Sequence, residues 1–131
     1  MTPSAEILCR LAALSPELAE LMANAVRDVA GRTSDGTITV SAMMAMTGQS
    51  PEFIQKVLVV LLFANVLRAR FVPYHRSCDL QIGPDEADVD TINLKADEGE
   101  YPSICRNCHH NFDGSSDVIT RILFSLPPGR S

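Results

Sequence analysis

Two Ser-Pro-Glu triplets, at residues 15–17 and 50–52, most strongly constrain where this chain can form helices. Ser is a favoured N-cap, Pro suits the first helical position because it has no N–H to satisfy, and Glu near a helix N-terminus interacts favourably with the helix dipole. Apolar residues at helical spacing follow each triplet. The sequence therefore predicts a helix at residues 16–30 and a longer one at residues 51–66.

Shorter segments with helical or alternating apolar spacing surround these two helices. The helical segments are residues 3–14 and residues 41–47, the second of which is stopped by Gly48. The segments with β character are residues 37–40, 67–74 and 78–82, and residues 117–126 are predicted to form a strand or a short helix. The chain is therefore expected to have an α+β fold.

The predicted order over residues 16–83 is helix, short strand, helix, turn, helix, strand, strand, with one further helix in front. This order resembles the winged helix-turn-helix superfamily. The resemblance is carried by Gly-Thr-Ile-Thr-Val at 36–40, Met-Met-Ala-Met-Thr-Gly at 43–48, Ser-Pro-Glu-Phe-Ile at 50–54 and the leucine-rich run at 58–68. It implies a winged helix-turn-helix domain with an N-terminal helix at residues 1–77. An unrelated small helical domain with a hairpin is the alternative.

Winged-helix domains often bind DNA through the long helix after the turn, so the surface of that helix matters. A helix that reads base edges needs Arg, Lys, Asn or Gln on its exposed face, and Gln55 and Lys56 are the two that qualify here. Arg68 and Arg70 on the next strand would add phosphate contacts. The acidic run at residues 85–90 would oppose such binding. A DNA-binding transcriptional regulator of the winged-helix type is therefore the alternative function.

The same predicted helix is apolar nearly all the way round, which is typical of a helix with a second, partner-facing side. Val59, Phe63 and Val66 lie on that second side and predict contact with another protein or with a second copy of the chain. No phosphate loop, dinucleotide fingerprint or nucleophile elbow is present in the sequence. These features favour a non-enzymatic adaptor or regulatory subunit.

Charge is distributed unevenly along the chain. The 131 residues carry a net charge of −5, which argues against a strongly basic nucleic-acid binder. Residues 1–77 contain seven basic and six acidic side chains, whereas residues 78–131 contain four basic and ten acidic ones. The sequence therefore predicts a second, acidic domain at residues 78–131. No apolar run reaches the roughly 18 residues needed to cross a bilayer, and no signal peptide is evident, so a cytoplasmic location is expected.

Three of the four cysteines belong to a paired pattern, His75-x2-Cys78 and Cys105-x2-Cys108. A two-residue gap lets two side chains converge on one ion from a single tight turn, and two such pairs complete a tetrahedral structural zinc site. His109 and His110 are alternatives to His75 as the fourth ligand. The arrangement resembles a zinc ribbon, which implies a small β module. A redox pair formed by Cys105 and Cys108 and a catalytic zinc are the competing interpretations.

Overall fold

A computed structural model describes residues 1–102, 104 and 108–127 of the protein. The helices and strands follow one another in the order α1 (Pro3–Ala12), α2 (Pro16–Gly31), β1 (Thr37–Ile38), α3 (Val40–Thr47), α4 (Pro51–Phe63), β2 (Arg68–His75), α5 (Val89–Asp97) and β3 (Val118–Ser125). A short 3-10 helix, Gly114–Asp117, precedes β3. The three strands form one sheet in the order β1-β3-β2. The mixed content confirms the α+β class.

The helices begin where the capping residues predict. Ser15 Oγ accepts a hydrogen bond from the Leu18 N–H at 3.3 Å, and Ser50 Oγ accepts one from the Phe53 N–H at 3.2 Å. Each bond satisfies one of the amide groups that a helix start leaves without an intrahelical partner. Gly48 ends α3 with a left-handed φ of +70°. The local signals in the sequence therefore set the starts of α2 and α4 and the end of α3 correctly.

The helix that carries the predicted partner surface ends three residues earlier than expected. Asn65 adopts a left-handed φ of +62°, which breaks the helical path after Phe63. The N–H groups of Val66 and Leu67 then both donate to the Leu61 carbonyl, at 2.9 and 3.3 Å. This turn directs Val66 into the core, where it is 9% exposed. The placement of Val66 on the outer face of the helix was therefore wrong.

Contacts divide the chain into two compact units. Unit 1 comprises Met1–Ala69 and the chain from Phe124 onward, and unit 2 comprises Arg70–Leu123. This division differs from the expected boundary between residues 77 and 78. Most of β2 belongs to unit 2, whereas the end of β3 returns to unit 1, where Ser125 pairs with Thr37 and Phe124 with Ile38 in antiparallel register.

Unit 1 is a helical cluster around one apolar core. Helices α2 and α4 each pack against both α1 and α3. Each of the four helices contributes buried apolar side chains to this core. The largest fully buried members are Leu8, Met22, Ile38, Met43, Ile54, Leu58 and Leu61.

One glycine in unit 1 is required by its surroundings. Gly36 has a left-handed φ of +73°, and a Cβ at this position would lie 2.4 Å from the Leu126 carbonyl oxygen. The Leu126 N–H donates to the Gly36 carbonyl at 3.0 Å, which holds the two backbone segments together beside the β1–β3 pair. Only glycine combines this conformation with so close a backbone approach.

The strand expected at residues 78–82 is reduced to an isolated bridge between Tyr74 and Gln81. The sheet partner of β2 is instead β3, which comes more than forty residues later in the chain. Asp79 has a left-handed φ of +56°, so the chain turns too tightly after β2 for a regular strand to follow. The expected strand at 78–82 was therefore wrong, whereas most of the segment at 117–126 forms a strand, β3.

Unit 2 contains a helix where a β module was expected. Asp88 caps α5 by accepting a hydrogen bond from the Thr91 N–H at 2.7 Å, which also lowers the pKa of the Asp88 carboxyl. Ile92 and Ala96, one helical turn apart, are buried on the inner face of α5. The zinc-ribbon-like β module expected at residues 78–131 therefore stays a prediction, and α5 is an element that the prediction did not include. Within the described residues, no helix is long and apolar enough to cross a membrane.

Candidate metal centre

A tight turn after β2 brings the first two predicted ligands together. The Asp79 N–H donates to the His75 carbonyl at 2.8 Å, and the His75 N–H donates to the Leu80 carbonyl at 2.9 Å. The chain therefore folds back on itself directly after His75. Cys78 Sγ consequently lies 3.5 Å from His75 Nδ1.

The third predicted ligand joins these two from a distant part of the chain. Cys108 Sγ lies 3.3 Å from His75 Nδ1, and the ligand atoms of His75, Cys78 and Cys108 all lie within 4.8 Å of one another. Tetrahedral zinc with bonds of about 2.3 Å to sulfur and 2.0 Å to nitrogen separates such ligand atoms by roughly 3.5 Å. The three side chains can therefore bind a metal ion.

The His75 side chain is enclosed by the residues around it. Its side chain is fully buried, and the Phe112 ring packs against the imidazole with the ring centroids 5.7 Å apart. Nδ1 faces both sulfur atoms, whereas Nε2 is buried without a hydrogen-bond partner among the described residues. A histidine that ligates through Nδ1 keeps its remaining proton on Nε2, so this tautomer leaves Nδ1 available to an ion. The packing of Phe112 sets the direction in which Nδ1 points.

The remaining cysteines and histidines are not part of this cluster of three among the described residues. Cys105, the other member of the second pair, lies outside the described residues. His109 and His110 are exposed, and the cluster of three does not include either of them. Cys9 is half-buried and packs against the core of unit 1. Phe112 contacts the His75 ring but was not predicted, because no metal-site motif requires an aromatic residue four positions after Cys108.

Polar contacts on both sides of the cluster join the turn after β2 to the start of β3. The Arg76 N–H donates to the Asp117 carbonyl at 2.8 Å, and Arg76 Nε donates to the Ser116 carbonyl at 2.9 Å. Arg121 pairs with Asp79 and lies over the Tyr74 ring at 5.3 Å. The hydrogen bond and charge of Asp79 raise the pKa of Arg121 above its ordinary value. The ligand-bearing turn is therefore attached to β3 at several points.

The residues proposed for DNA contact are not equally available. Gln55, Lys56 and Arg68 are exposed. Arg70 instead forms a two-point ion pair with Asp85, at 2.8 Å from Nε and 3.1 Å from the second guanidinium nitrogen. Its side chain is 19% exposed. Asp85 belongs to the acidic run at residues 85–90 that was expected to oppose phosphate binding. Its ion pair with Arg70 uses the guanidinium group that would otherwise contact a phosphate.

The two remaining members of the predicted partner surface are exposed. Phe63 is 81% exposed, the largest fraction among the large apolar side chains that the structure describes, and Val59 is 39% exposed. They lie one helical turn apart on α4, so they share one face. We call Val59 and Phe63 the α4 surface.

No protein-family model, no curated protein and no solved structure matches this chain. The cluster of His75, Cys78 and Cys108 and the α4 surface are therefore the two features that indicate a function for this chain.

Proposed function

We propose that the protein is a non-enzymatic adaptor or regulatory subunit, in which a structural zinc ion stabilises unit 2 and the α4 surface binds another protein. The observation that carries the proposal is the convergence of His75 Nδ1, Cys78 Sγ and Cys108 Sγ. Cys105 is the natural fourth ligand, because it shares the two-residue spacing of a metal-binding pair with Cys108.

The donor set favours zinc. Thiolate sulfur and imidazole nitrogen are soft and borderline ligands, which suit Zn²⁺ and disfavour Mg²⁺ or Ca²⁺. Four protein ligands leave no open position for a substrate, so such a site is structural rather than catalytic. The bound ion would supply charge neutralisation and a crosslink between the turn after β2 and the segment at Cys108.

Unit 2 needs such a crosslink because its apolar core is small. Among the described residues, the core cluster of unit 2 contains four buried side chains: Ile92, Ala96, Tyr101 and Val118. A core of this size provides little free energy to order more than fifty residues. Metal binding to a site that is absent from the unfolded chain adds directly to folding stability.

For residues 1–77 together with β3 we propose a winged helix-turn-helix fold. The order α2, β1, α3, α4, β2, β3 and the central place of β3 in the sheet support this assignment. In this interpretation β2 and β3 are the wing strands, and the chain between them carries the metal centre. Such a domain does not by itself imply DNA binding, since function depends on the surface residues.

Metal content tests the zinc site directly. We expect elemental analysis to find about one equivalent of zinc per chain after purification without chelators, because a site with four protein ligands binds Zn²⁺ tightly. Replacing zinc with Co²⁺ is expected to give the visible absorption of a tetrahedral thiolate site. Zinc below about half an equivalent would contradict the proposal.

The α4 surface has its own test. We expect Phe63→Asp combined with Val59→Asp to abolish self-association or binding of the protein partner, because burying two carboxylates in an apolar interface costs several kcal/mol. Light scattering gives the oligomeric mass, and co-purification from the native host, followed by mass spectrometry, identifies the partner. Leu11→Asp is the matched control, since Leu11 is also an exposed apolar residue of a unit 1 helix, at 56% exposure.

Two outcomes would redirect this part of the proposal. An unchanged mass and an unchanged set of bound proteins in the double variant would remove the α4 surface from consideration. Binding to duplex DNA that falls with salt and weakens in Arg68→Ala would favour the transcriptional regulator instead. If the zinc content is unchanged in either case, the proposed zinc site is not affected by that outcome.

A further inference from the structure

Unit 2 contains an open cleft that the metal centre does not use. Its volume is about 420 Å³, and it lies beside the last turn of α5. One wall consists of Ala96, Asp97 and Gly99, and the other of Phe112, Asp113 and Gly114. Tyr101 completes the lining. We propose that this cleft binds an alkylammonium group, from a free amine or from a lysine side chain.

The charge of the cleft selects a cation. Asp97 and Asp113 both line it, and Asp97 is the last residue of α5, where the helix dipole is negative. The Asp97 carboxylate accepts the Ser115 N–H at 2.9 Å, and this hydrogen bond lowers the pKa of Asp97. Anionic ligands are therefore repelled.

The aromatic walls select an organic cation over a metal ion. The rings of Tyr101 and Phe112 meet edge to face, with centroids 6.0 Å apart and an angle of 71° between the planes. Aromatic faces attract ammonium groups and pack against the attached alkyl chain. Within the part of the chain that the structure describes, the side chains spaced closely enough to ligate one metal ion are those of His75, Cys78 and Cys108, and no carboxylate of the cleft is among them.

Tyr101, which lines the cleft, also carries a buried hydroxyl group. The residue is 7% exposed, and its hydroxyl has no hydrogen-bond partner among the described residues. Gly83 packs against the Tyr101 ring so closely that a Cβ on Gly83 would lie 2.8 Å from the ring edge. Buried hydroxyl groups normally have a partner, and an ammonium N–H can donate to the free lone pair of Oη.

The binding test uses the full, zinc-loaded chain and a pair of probes that differ mainly in charge. Titration with n-butylammonium, followed by amide NMR, is expected to give saturable shifts at Gly99 and Gly114. The neutral analogue 1-butanol is expected to bind about ten-fold more weakly or worse, because it lacks the charge that the carboxylates attract. Equal affinity for the two probes, or no saturation by about 50 mM, would overturn the proposal.

Two variants localise the effect. Asp97→Asn keeps an oxygen that can accept the Ser115 N–H but removes the charge, and we expect about ten-fold weaker butylammonium binding. Tyr101→Phe keeps the ring and removes the hydroxyl, with an expected loss of roughly three-fold. Asp90→Asn is the matched control, since it removes one charge from the first turn of α5, about 10 Å along the helix.

One set of outcomes tests whether the cleft binds an ammonium group, and another tests whether that group belongs to a lysine side chain or to a free amine. Equal losses in Asp97→Asn and Asp90→Asn would overturn the proposal, because they would indicate a general attraction by the acidic unit. Tighter binding of Nα-acetyl-lysine methylamide than of butylammonium supports a lysine side chain, and the reverse supports a free amine. Zinc measured on the same samples keeps this result distinct from the metal proposal, which the cleft does not require.

Discussion

With zinc bound as proposed, removal of the metal from the full chain is expected to unfold unit 2 and to leave the helices of unit 1 folded. A structural zinc site contributes on the order of 10 kcal/mol to a small domain, which exceeds what the small core of unit 2 provides. Unit 1 has its own extensive core, which includes Met22, Met43, Leu58 and Leu61. Amide NMR before and after chelation is expected to show loss of dispersion for residues 70–123, and zinc addition is expected to restore it.

The cysteines offer a matched pair of substitutions for the same expectation. Cys78→Ser removes one ligand of the cluster, so we expect it to reproduce the effect of chelation. Cys9→Ser changes the same atoms in α1, where the side chain packs on the core of unit 1, and we expect metal content to stay unchanged. A metal-free Cys78→Ser protein that keeps the native amide dispersion of unit 2 would contradict a structural role for the ion.

The second large effect is expected from Gly36→Ala. The added methyl group would collide with the Leu126 carbonyl oxygen at 2.4 Å, and alanine disfavours the φ of +73°. Relieving the clash requires the backbone to move, because the contacting atom is not the end of a flexible side chain. We expect a loss of about 3 kcal/mol in the free energy of unfolding of unit 1, measured by urea denaturation with helix signals as the probe.

Gly31→Ala is the internal control for this substitution. Gly31 is the last residue of α2, and a Cβ there would meet no other atom within 4 Å. Because alanine is the better helix former, we expect a change of less than about 1 kcal/mol, in the stabilising direction. Equal stability of the two variants would show that the close approach of Gly36 and Leu126 does not contribute to the fold.

The features of the fold that short sequence signals determine could be predicted. Ser15 and Ser50 cap the two main helices, and Gly48 ends the short one, because each depends on the residue itself and on two or three neighbours. His75 and Cys78 were also identified locally, since a two-residue gap brings ligands together within one turn. In each case the interacting atoms are only a few residues apart.

The missed elements depend on long-range packing. Helix α5 lies in an acidic segment with few apolar residues, and its buried side is limited to Ile92 and Ala96. Asp88 is a residue type favoured at helix N-caps, but the apolar stripe that follows it is too narrow for periodicity alone to predict a helix. Burial of that stripe against Tyr101 and Val118 stabilises the helix instead.

Strand pairing and the course of the chain after Phe63 could not be predicted for a related reason. The pairing of β1 with β3 joins residues almost ninety positions apart, and nothing in the alternation of either strand specifies the other. Val66 was placed on the helix surface because apolar periodicity continues past Phe63. The left-handed conformation of Asn65 interrupts it, and periodicity does not report such a conformation.

The hydrogen bond between the Arg76 N–H and the Asp117 carbonyl has a consequence for how this chain tolerates change in length. It closes the segment between β2 and β3 into a loop whose ends are joined at the backbone. The entropy of closing a loop grows only with the logarithm of its length, so doubling the segment would cost roughly 0.6 kcal/mol. Flexible insertions at exposed points of this segment are therefore expected to cost little free energy, while the two strands at its base stay paired.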